Sequence, residues 1–135
     1  MKWKLLGFGI ICLILLGACG NSSSGVKIDS VTLARDDGSG KPGETVTSFR
    51  PSDRTFYVLV KLDRLETGLK VKVSWVAVAA AGSTNQVLAE REFSALTANT
   101  IRGDITLPND WPTGKYRVDI YVNDSLQKSV DFTVA

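Results

Sequence analysis

Cys19 is the residue whose position points most directly to chemistry. It follows Gly17 and Ala18, two small residues that close an apolar run beginning just after Lys2 and Lys4. A charged start, an apolar stretch of about a dozen residues and small residues before a cut are typical of a secretory signal. The run is shorter than the roughly 20 residues that a transmembrane helix needs. We therefore expect the mature chain to begin at Cys19, with its thiol placed for covalent modification.

The tetrapeptide Leu16-Gly17-Ala18-Cys19 resembles the lipobox of bacterial lipoproteins. In that family the cysteine thiol receives a diacylglyceryl group, the signal is cut before it, and the new amine can also be acylated. Two or more acyl chains are enough for stable anchoring. The resemblance thus implies that Cys19 is lipidated and anchors the chain to a bacterial membrane. The residue after the cysteine is Gly20 and not aspartate. The resemblance therefore favours the outer membrane in a diderm cell, and otherwise the outer face of the cell membrane.

The alternatives to lipidation are a secreted protein whose signal happens to end in cysteine and an uncleaved anchor helix. Under the lipoprotein interpretation, residues 1–18 are the signal peptide, residues 19–25 are the lipidated cysteine and a flexible tether, and residues 26–135 are a β-sandwich domain. The Gly/Ser-type tether spans on the order of 10 to 15 Å. Cys12 leaves with the signal and Cys19 carries lipid, so the domain has no disulfide and depends on its core alone.

The composition excludes several classes of function. The chain has no histidine, which rules out a Ser-His-Asp triad and a Cys-His nucleophile pair. With no free thiol left, a His- or Cys-based zinc site is excluded as well. Carboxylate-only catalysis would need Glu44, Asp53 and Asp110 to meet in one cleft. We expect no catalytic residue, no cofactor and no metal.

The charge balance argues against a nucleic-acid partner. The chain has 16 Lys plus Arg and 14 Asp plus Glu, and Lys2 and Lys4 of the signal account for the difference. A neutral domain with interspersed signs has no electrostatic footprint for a polyanion. Four cationic residues on neighbouring segments could bind an acidic glycan or form a solvated strand face: Lys61, Arg64, Lys70 and Lys72. The latter is the better account, because acidic residues are interspersed.

Alternating apolar and polar residues run through most of the chain after the tether. In the clearest segment, 69–78, Val71, Val73 and Trp75 share one face, while Lys72 and Ser74 share the other. This period of two predicts a half-buried strand. Similar patterns predict strands at 26–35, 45–49, 56–62, 87–93, 101–107, 116–122 and 128–134. In the first of these, a change of parity predicts a bulge near Asp29 and Ser30.

Seven or eight short strands with turn signals every eight to twelve residues predict an all-β, antiparallel sandwich. The turn Pro112-x-Gly114-x-Tyr116, together with Trp75 in a central strand, resembles immunoglobulin-like and fibronectin-like domains. The resemblance implies that Trp75 lies in the core and that the Tyr116 hydroxyl bonds back to the backbone. The paired cysteines of antibody domains are absent.

Two loops hold the remaining candidate residues. Trp111, on a Pro-rich loop, could stack on a sugar or insert into a partner, or it could close one end of the sandwich by packing on Pro108 and Pro112. The stacking role would make Trp111 the ligand-binding residue of a carbohydrate-recognition domain. The loop Asp36–Gly40 could supply oxygen ligands to calcium, but its spacing does not match the twelve-residue helix-loop-helix site and no bidentate Glu falls at the right distance. An ordinary solvated hairpin loop is the simpler interpretation.

The function expected from the sequence is a non-catalytic binding or structural module at the cell envelope. Its membrane contact would be the lipid on Cys19, and its partner an envelope protein that docks on end loops or on an edge strand. The alternatives are glycan recognition through Trp111 and an enzyme that uses carboxylates alone.

Overall fold

A computed structural model describes residues 25–135, which form two packed β-sheets. The strands in chain order are β1 (Ile28–Asp36), β2 (Pro42–Thr45), β3 (Ser48–Phe49), β4 (Thr55–Leu62), β5 (Val71–Ala80), β6 (Ser83–Phe93), β7 (Thr100–Thr106), β8 (Gly114–Val122) and β9 (Ser125–Val134). A three-residue 3-10 turn lies at Pro51–Asp53. Within this part of the chain, no helix has the length and apolarity of a membrane span.

One sheet has four strands in the order β2-β1-β4-β7, and the other has five in the order β3-β9-β8-β5-β6. Every pairing is antiparallel except the short parallel contact of β3 with β9. The predicted all-β antiparallel sandwich is confirmed. Its strands number nine among the described residues, against the seven or eight expected.

The additional strand arises because the segment predicted as one strand at 45–49 changes sheets. The amide of Val46 donates to the carbonyl of Leu33 in the four-stranded sheet at 2.9 Å. The next residue, Thr47, accepts from the amide of Thr133 in the five-stranded sheet at 3.1 Å. The core-facing residues on the two sides of the crossing, Val46 and Phe49, are three positions apart, so the alternation changes parity there.

The core lies between the sheets and follows the predicted alternation. Val71, Val73 and Trp75 of β5 are buried, and the Trp75 ring meets Phe132 edge-on with centroids 6.0 Å apart. Burying a valine side chain such as Val71 or Val73 contributes about 1.5 to 3 kcal/mol. The pairing of β1 with β4 shifts register between Ile28 and Ser30, as the change of parity predicted.

The two ends of the sandwich are distinguished by where the described chain enters it. The described chain enters beside Leu62 and Val122, at what we call the proximal end. The distal end, where Ala80 pairs with Gly114, lies one strand length away, about 30 Å for nine residues.

Candidate functional site

The entry of the chain into the domain is held at the proximal end. Val26 is buried, and its carbonyl accepts from Gln127 Nε2 at 3.2 Å. The amide of Lys27 donates to Asp63 Oδ1 at 2.9 Å. Any segment that precedes Gly25 therefore leaves from this end of the sandwich. The lipidation residue Cys19 and the lipobox residues Leu16, Gly17 and Ala18 lie outside the described residues.

The distal end holds Trp111 inside a cluster of aromatic rings. The Trp111 side chain is 2% exposed and stacks on Phe56 with ring centroids 4.3 Å apart. Its Nε1 donates to the carbonyl of Arg54 at 2.8 Å, and its amide donates to the carbonyl of Pro51 at 3.0 Å. Because Phe56 covers one ring face and the edge meets Tyr116, the ring closes the end of the core. The sugar-stacking role considered for Trp111 needs an exposed ring face, which this arrangement does not provide.

Tyr116 is the second structural element of the distal end. Its hydroxyl donates to the carbonyl of Pro112 at 2.6 Å, and its ring stacks on Phe132 with centroids 5.4 Å apart. A tyrosine that bonds back to the backbone four residues earlier is the geometry of the tyrosine corner. Burial raises the pKa of the Tyr116 phenol, so the neutral donor form is the one that the fold favours.

Tyr116→Phe is expected to lower the free energy of unfolding by about 1 to 2 kcal/mol, because it leaves the Pro112 carbonyl without its donor. Urea denaturation followed by tryptophan fluorescence measures this change. Tyr121→Phe is the matched control, since the Tyr121 side chain is half-buried on β8 and its hydroxyl bonds to no group within residues 25–135. It should change stability by less than about 0.5 kcal/mol. Equal losses for the two variants would refute the structural role of the Tyr116 hydroxyl.

An apolar cleft opens along one side of the sandwich, between β6 and β7. Its volume is about 300 Å³, at the lower end for small-molecule sites. The five-stranded sheet lines it with Ala77, Leu88 and Ala89, and the opposite wall includes Ile105 and Leu107. Gln86, Ser83 and Thr106 add a few polar groups at its margin. We call this feature the β6/β7 cleft.

Sequence reasoning missed the β6/β7 cleft, although it predicted strands close to both β6 and β7. The available signal was the run Val87-Leu88-Ala89, three consecutive apolar residues in an otherwise polar strand. The register of β5 with β6 shifts at this point, between Trp75 and Val76. Such a bulge gives one strand an extra residue, and here Leu88 turns to line the cleft while remaining 40% exposed.

The three carboxylates considered for catalysis bind arginines. Arg35 bonds to Glu44 at 2.7 Å and to Asp53 at 3.1 Å. Asp110 lies 3.5 Å from Arg54. Glu44 and Asp53 thus bind the same guanidinium, that of Arg35, whereas Asp110 forms a separate ion pair with Arg54.

The acidic loop after β1 satisfies its own carboxylates. Asp37 Oδ1 accepts from the hydroxyl of Ser39 at 2.6 Å and from its amide at 2.7 Å, and the Ser39 hydroxyl is the main reason that the pKa of Asp37 is lowered. Asp36 Oδ1 accepts from the amides of Gly38 and Gly40. No group of three His, Cys, Asp or Glu within residues 25–135 forms a metal site.

Most of the cationic residues considered for glycan binding are paired. Lys72 lies 4.0 Å from Glu90 and 4.5 Å from the centroid of the Tyr121 ring. Lys70 lies 3.9 Å from Asp124, and Arg64 binds both Asp63 and Glu66. Such contacts are typical of a solvated strand face with mixed charges, which is the simpler interpretation when set against glycan binding.

Comparison with solved structures gives the fold. The chain is similar to an immunoglobulin-like protein from Pseudomonas aeruginosa, with 15% sequence identity and a TM-score of 0.58 over 85% of this chain and 100% of that chain. It is also similar to part of the alkylpurine DNA glycosylase AlkC of Pseudomonas fluorescens, solved bound to DNA containing an abasic site analog. That match has 16% identity and a TM-score of 0.54, and covers 84% of this chain but 31% of the glycosylase.

No protein-family model and no curated protein sequence matches the chain. At these identities the solved structures establish the architecture, and one architecture hosts many functions. The domain has an immunoglobulin-like fold, and its function has to be argued from its own residues.

Proposed function

We propose that this chain is a lipid-anchored, non-catalytic binding module of the bacterial cell envelope, held at the membrane through Cys19 and engaging a partner protein. The β6/β7 cleft is the observation that carries the binding role, since it is an open feature with mainly apolar walls at one side of the sandwich. Apolar surface left uncovered beside polar margins is typical of interaction sites.

The non-catalytic part of the proposal is supported by the placement of the titratable groups. Asp53 and Asp110 are engaged with arginines, and the chain has no histidine to serve as a general base. The cleft itself is lined mainly by alanine and larger apolar side chains. A nucleic-acid partner is not proposed, because the charges after the signal segment balance.

The anchor is supported by the sequence around Cys19 and by the position of Gly25. A tether attached at the proximal end would direct the distal end, including the part of the β6/β7 cleft beside Trp111, away from the lipid surface. Such an orientation leaves the cleft open to a partner in the envelope.

Growth with an alkyne-tagged fatty acid tests the anchor. The wild-type chain should incorporate the label and fractionate with membranes, and Cys19→Ser should lose the label completely. Cys12→Ser is the matched control, because this second thiol lies in the segment that the signal peptidase would remove, and it should keep the label. A labelled Cys19→Ser chain, or an unlabelled wild type, would rule out lipidation at Cys19.

Photo-crosslinking in living cells tests the binding role. A photoreactive residue at position 88, which lines the cleft, should form a discrete adduct with an envelope protein. The same residue at position 126 is the control, because Leu126 is 52% exposed on β9 and does not line the cleft. Absence of any adduct from position 88 in an anchored chain would favour a structural role over a binding one.

A further inference from the structure

The four-stranded sheet ends one strand short of the sheet that it covers. A Cβ placed on Gly103 of β7 would lie 3.7 Å from Val73 of β5 and 3.8 Å from the ring of Phe93, so β7 sits over β5. No strand of the described chain lies beyond β7, and β6 therefore extends past the opposite sheet. No residue of β6 is buried, whereas seven of the ten residues of β5 are.

The free edge of β7 runs beside two hollows. The β6/β7 cleft includes Ile105, near one end of β7. A second hollow of about 250 Å³ lies at the other end of β7, lined by Phe93, Leu96 and Ile101 among others. Ile101 and Ile105 point to the same side of the strand, four residues apart. An apolar cavity of about 150 Å³ can hold a benzene ring, so each hollow has room for an apolar side chain.

The outward face of the same edge carries opposite charges that have no ion-pair partner in the described chain. Arg102 and Asp104 are exposed and form no ion pair within 4 Å among residues 25–135. The Arg102 guanidinium lies 5.6 Å from the centroid of the Tyr57 ring. A strand paired antiparallel to β7 would meet these charges with an acidic residue opposite Arg102 and a basic residue opposite Asp104.

A second copy of the β7 sequence, paired antiparallel to the first, would provide these complementary charges. Read about Gly103, the segment Thr-Ile-Arg-Gly-Asp-Ile-Thr places Thr100 opposite a second Thr106, Ile101 opposite a second Ile105, and Arg102 opposite a second Asp104. A second folded copy still does not fit, because its own β5 would lie beneath its β7 in the space that β6 occupies. Only a strand without a second layer beneath it can lie there.

We propose that the free edge of β7 accepts an extended segment of a partner protein as an additional antiparallel strand. Two apolar side chains of that segment, four residues apart, enter the hollows beside Ile101 and Ile105. An acidic and a basic residue between them pair with Arg102 and Asp104. Strand addition supplies backbone hydrogen bonds for affinity and alternate side chains for specificity. This inference rests on the proposed binding function and identifies the chemistry of the partner.

Because β7 is self-complementary, its own sequence supplies a probe. A labelled peptide Thr-Ile-Arg-Gly-Asp-Ile-Thr should bind the full lipidated chain in phospholipid nanodiscs, as measured by fluorescence anisotropy. A peptide of identical composition with the Arg and Asp exchanged should bind about tenfold more weakly, since both charge pairs become repulsive. The double variant Arg102→Asp, Asp104→Arg should reverse this preference, and both positions are exposed, so the fold is preserved.

Two neighbouring variants test whether the peptide also uses the cleft. Leu88→Asp, which places a charge at the cleft wall, should weaken binding of the first peptide about tenfold. Val87→Asp is the control, because Val87 is 52% exposed and does not line the cleft. Amide hydrogen exchange should slow in β7 when the peptide binds, while a retained exchange pattern in β5 would show that both variants are folded.

The outcomes separate this inference from the proposed function. Absence of peptide binding, equal affinity for both peptides or protection of another strand instead of β7 would refute strand addition at β7. Concentration-dependent dimers of the full chain that Asp104→Arg abolishes, because this variant sets Arg102 opposite a second arginine, would assign the edge to a second copy and also refute it. Lipid labelling of Cys19 and the adduct from position 88 do not depend on these results.

Discussion

Trp111→Ala is expected to lower the free energy of unfolding by about 3 to 5 kcal/mol. The substitution removes a ring that stacks on Phe56 and meets Tyr116 edge-on, and it leaves the carbonyl of Arg54 without the indole donor. The space left behind adjoins the β6/β7 cleft, which Trp111 lines. Chemical denaturation followed by circular dichroism measures the loss.

The control for this prediction is Trp111→Phe. It keeps an aromatic ring against Phe56 and removes only the indole donor and part of the volume, so its cost should be clearly smaller than that of alanine. A Trp111→Ala protein within about 1 kcal/mol of the wild type would contradict the placement of Trp111 as a core residue. Trp111 would then again be a candidate for an exposed ring that binds a ligand.

Gly114→Ala is expected to cost about 4 kcal/mol or more, a loss in the exceptional range for a single substitution. An added Cβ would lie 2.4 Å from the carbonyl oxygen of Ala79 and 2.7 Å from the Cβ of Ala80. Gly114 also has φ of 152°, where side chains are rarely tolerated. The register of β5 with β8 shifts between Ala77 and Ala79, and this irregularity accompanies the close approach of the two backbones.

Gly82→Ala is the matched control for backbone conformation without a clash. Gly82 has φ of 77°, and an added Cβ there meets no atom within 4 Å. Its cost should be about 1 to 2 kcal/mol, from the left-handed conformation alone. Thermal unfolding of the two variants separates the cost of the backbone conformation from the cost of the steric clash. Equal melting temperatures would show that the contact with Ala79 and Ala80 is relieved at little cost.

The sequence pattern predicted the elements of the fold with good accuracy. The alternation around Trp75 predicted a central strand, and the parity change near Ser30 predicted the shift in register between β1 and β4. The resemblance of the turn before Tyr116 to that of immunoglobulin-like domains implied a backbone hydrogen bond from the phenol, which the structure contains. These features are local, because the side-chain period of a strand and the residues of a turn are written in consecutive positions.

The candidate site was less accessible from the sequence. The strand predicted at 87–93 became β6 without any indication that it overhangs the opposite sheet. In the alternating pattern at 101–107, Arg102 and Asp104 form the polar side of a strand, and their position on a free edge appears only when the order of strands is known. The exposure of Trp111 was likewise undecided, because a Pro-rich loop can either project or fold back on the core.

The sequence by itself determined the alternation that makes these strands, the turns that separate them, the absence of histidine and the lipobox-like segment that ends at Cys19. Only the tertiary structure decided that Trp111 is covered, that residues 45–49 divide between two sheets, and that β7 has a free edge above β6. The physical reason is that a strand records which of its faces is apolar, whereas the presence of a neighbour beside it depends on pairings between residues far apart in the chain.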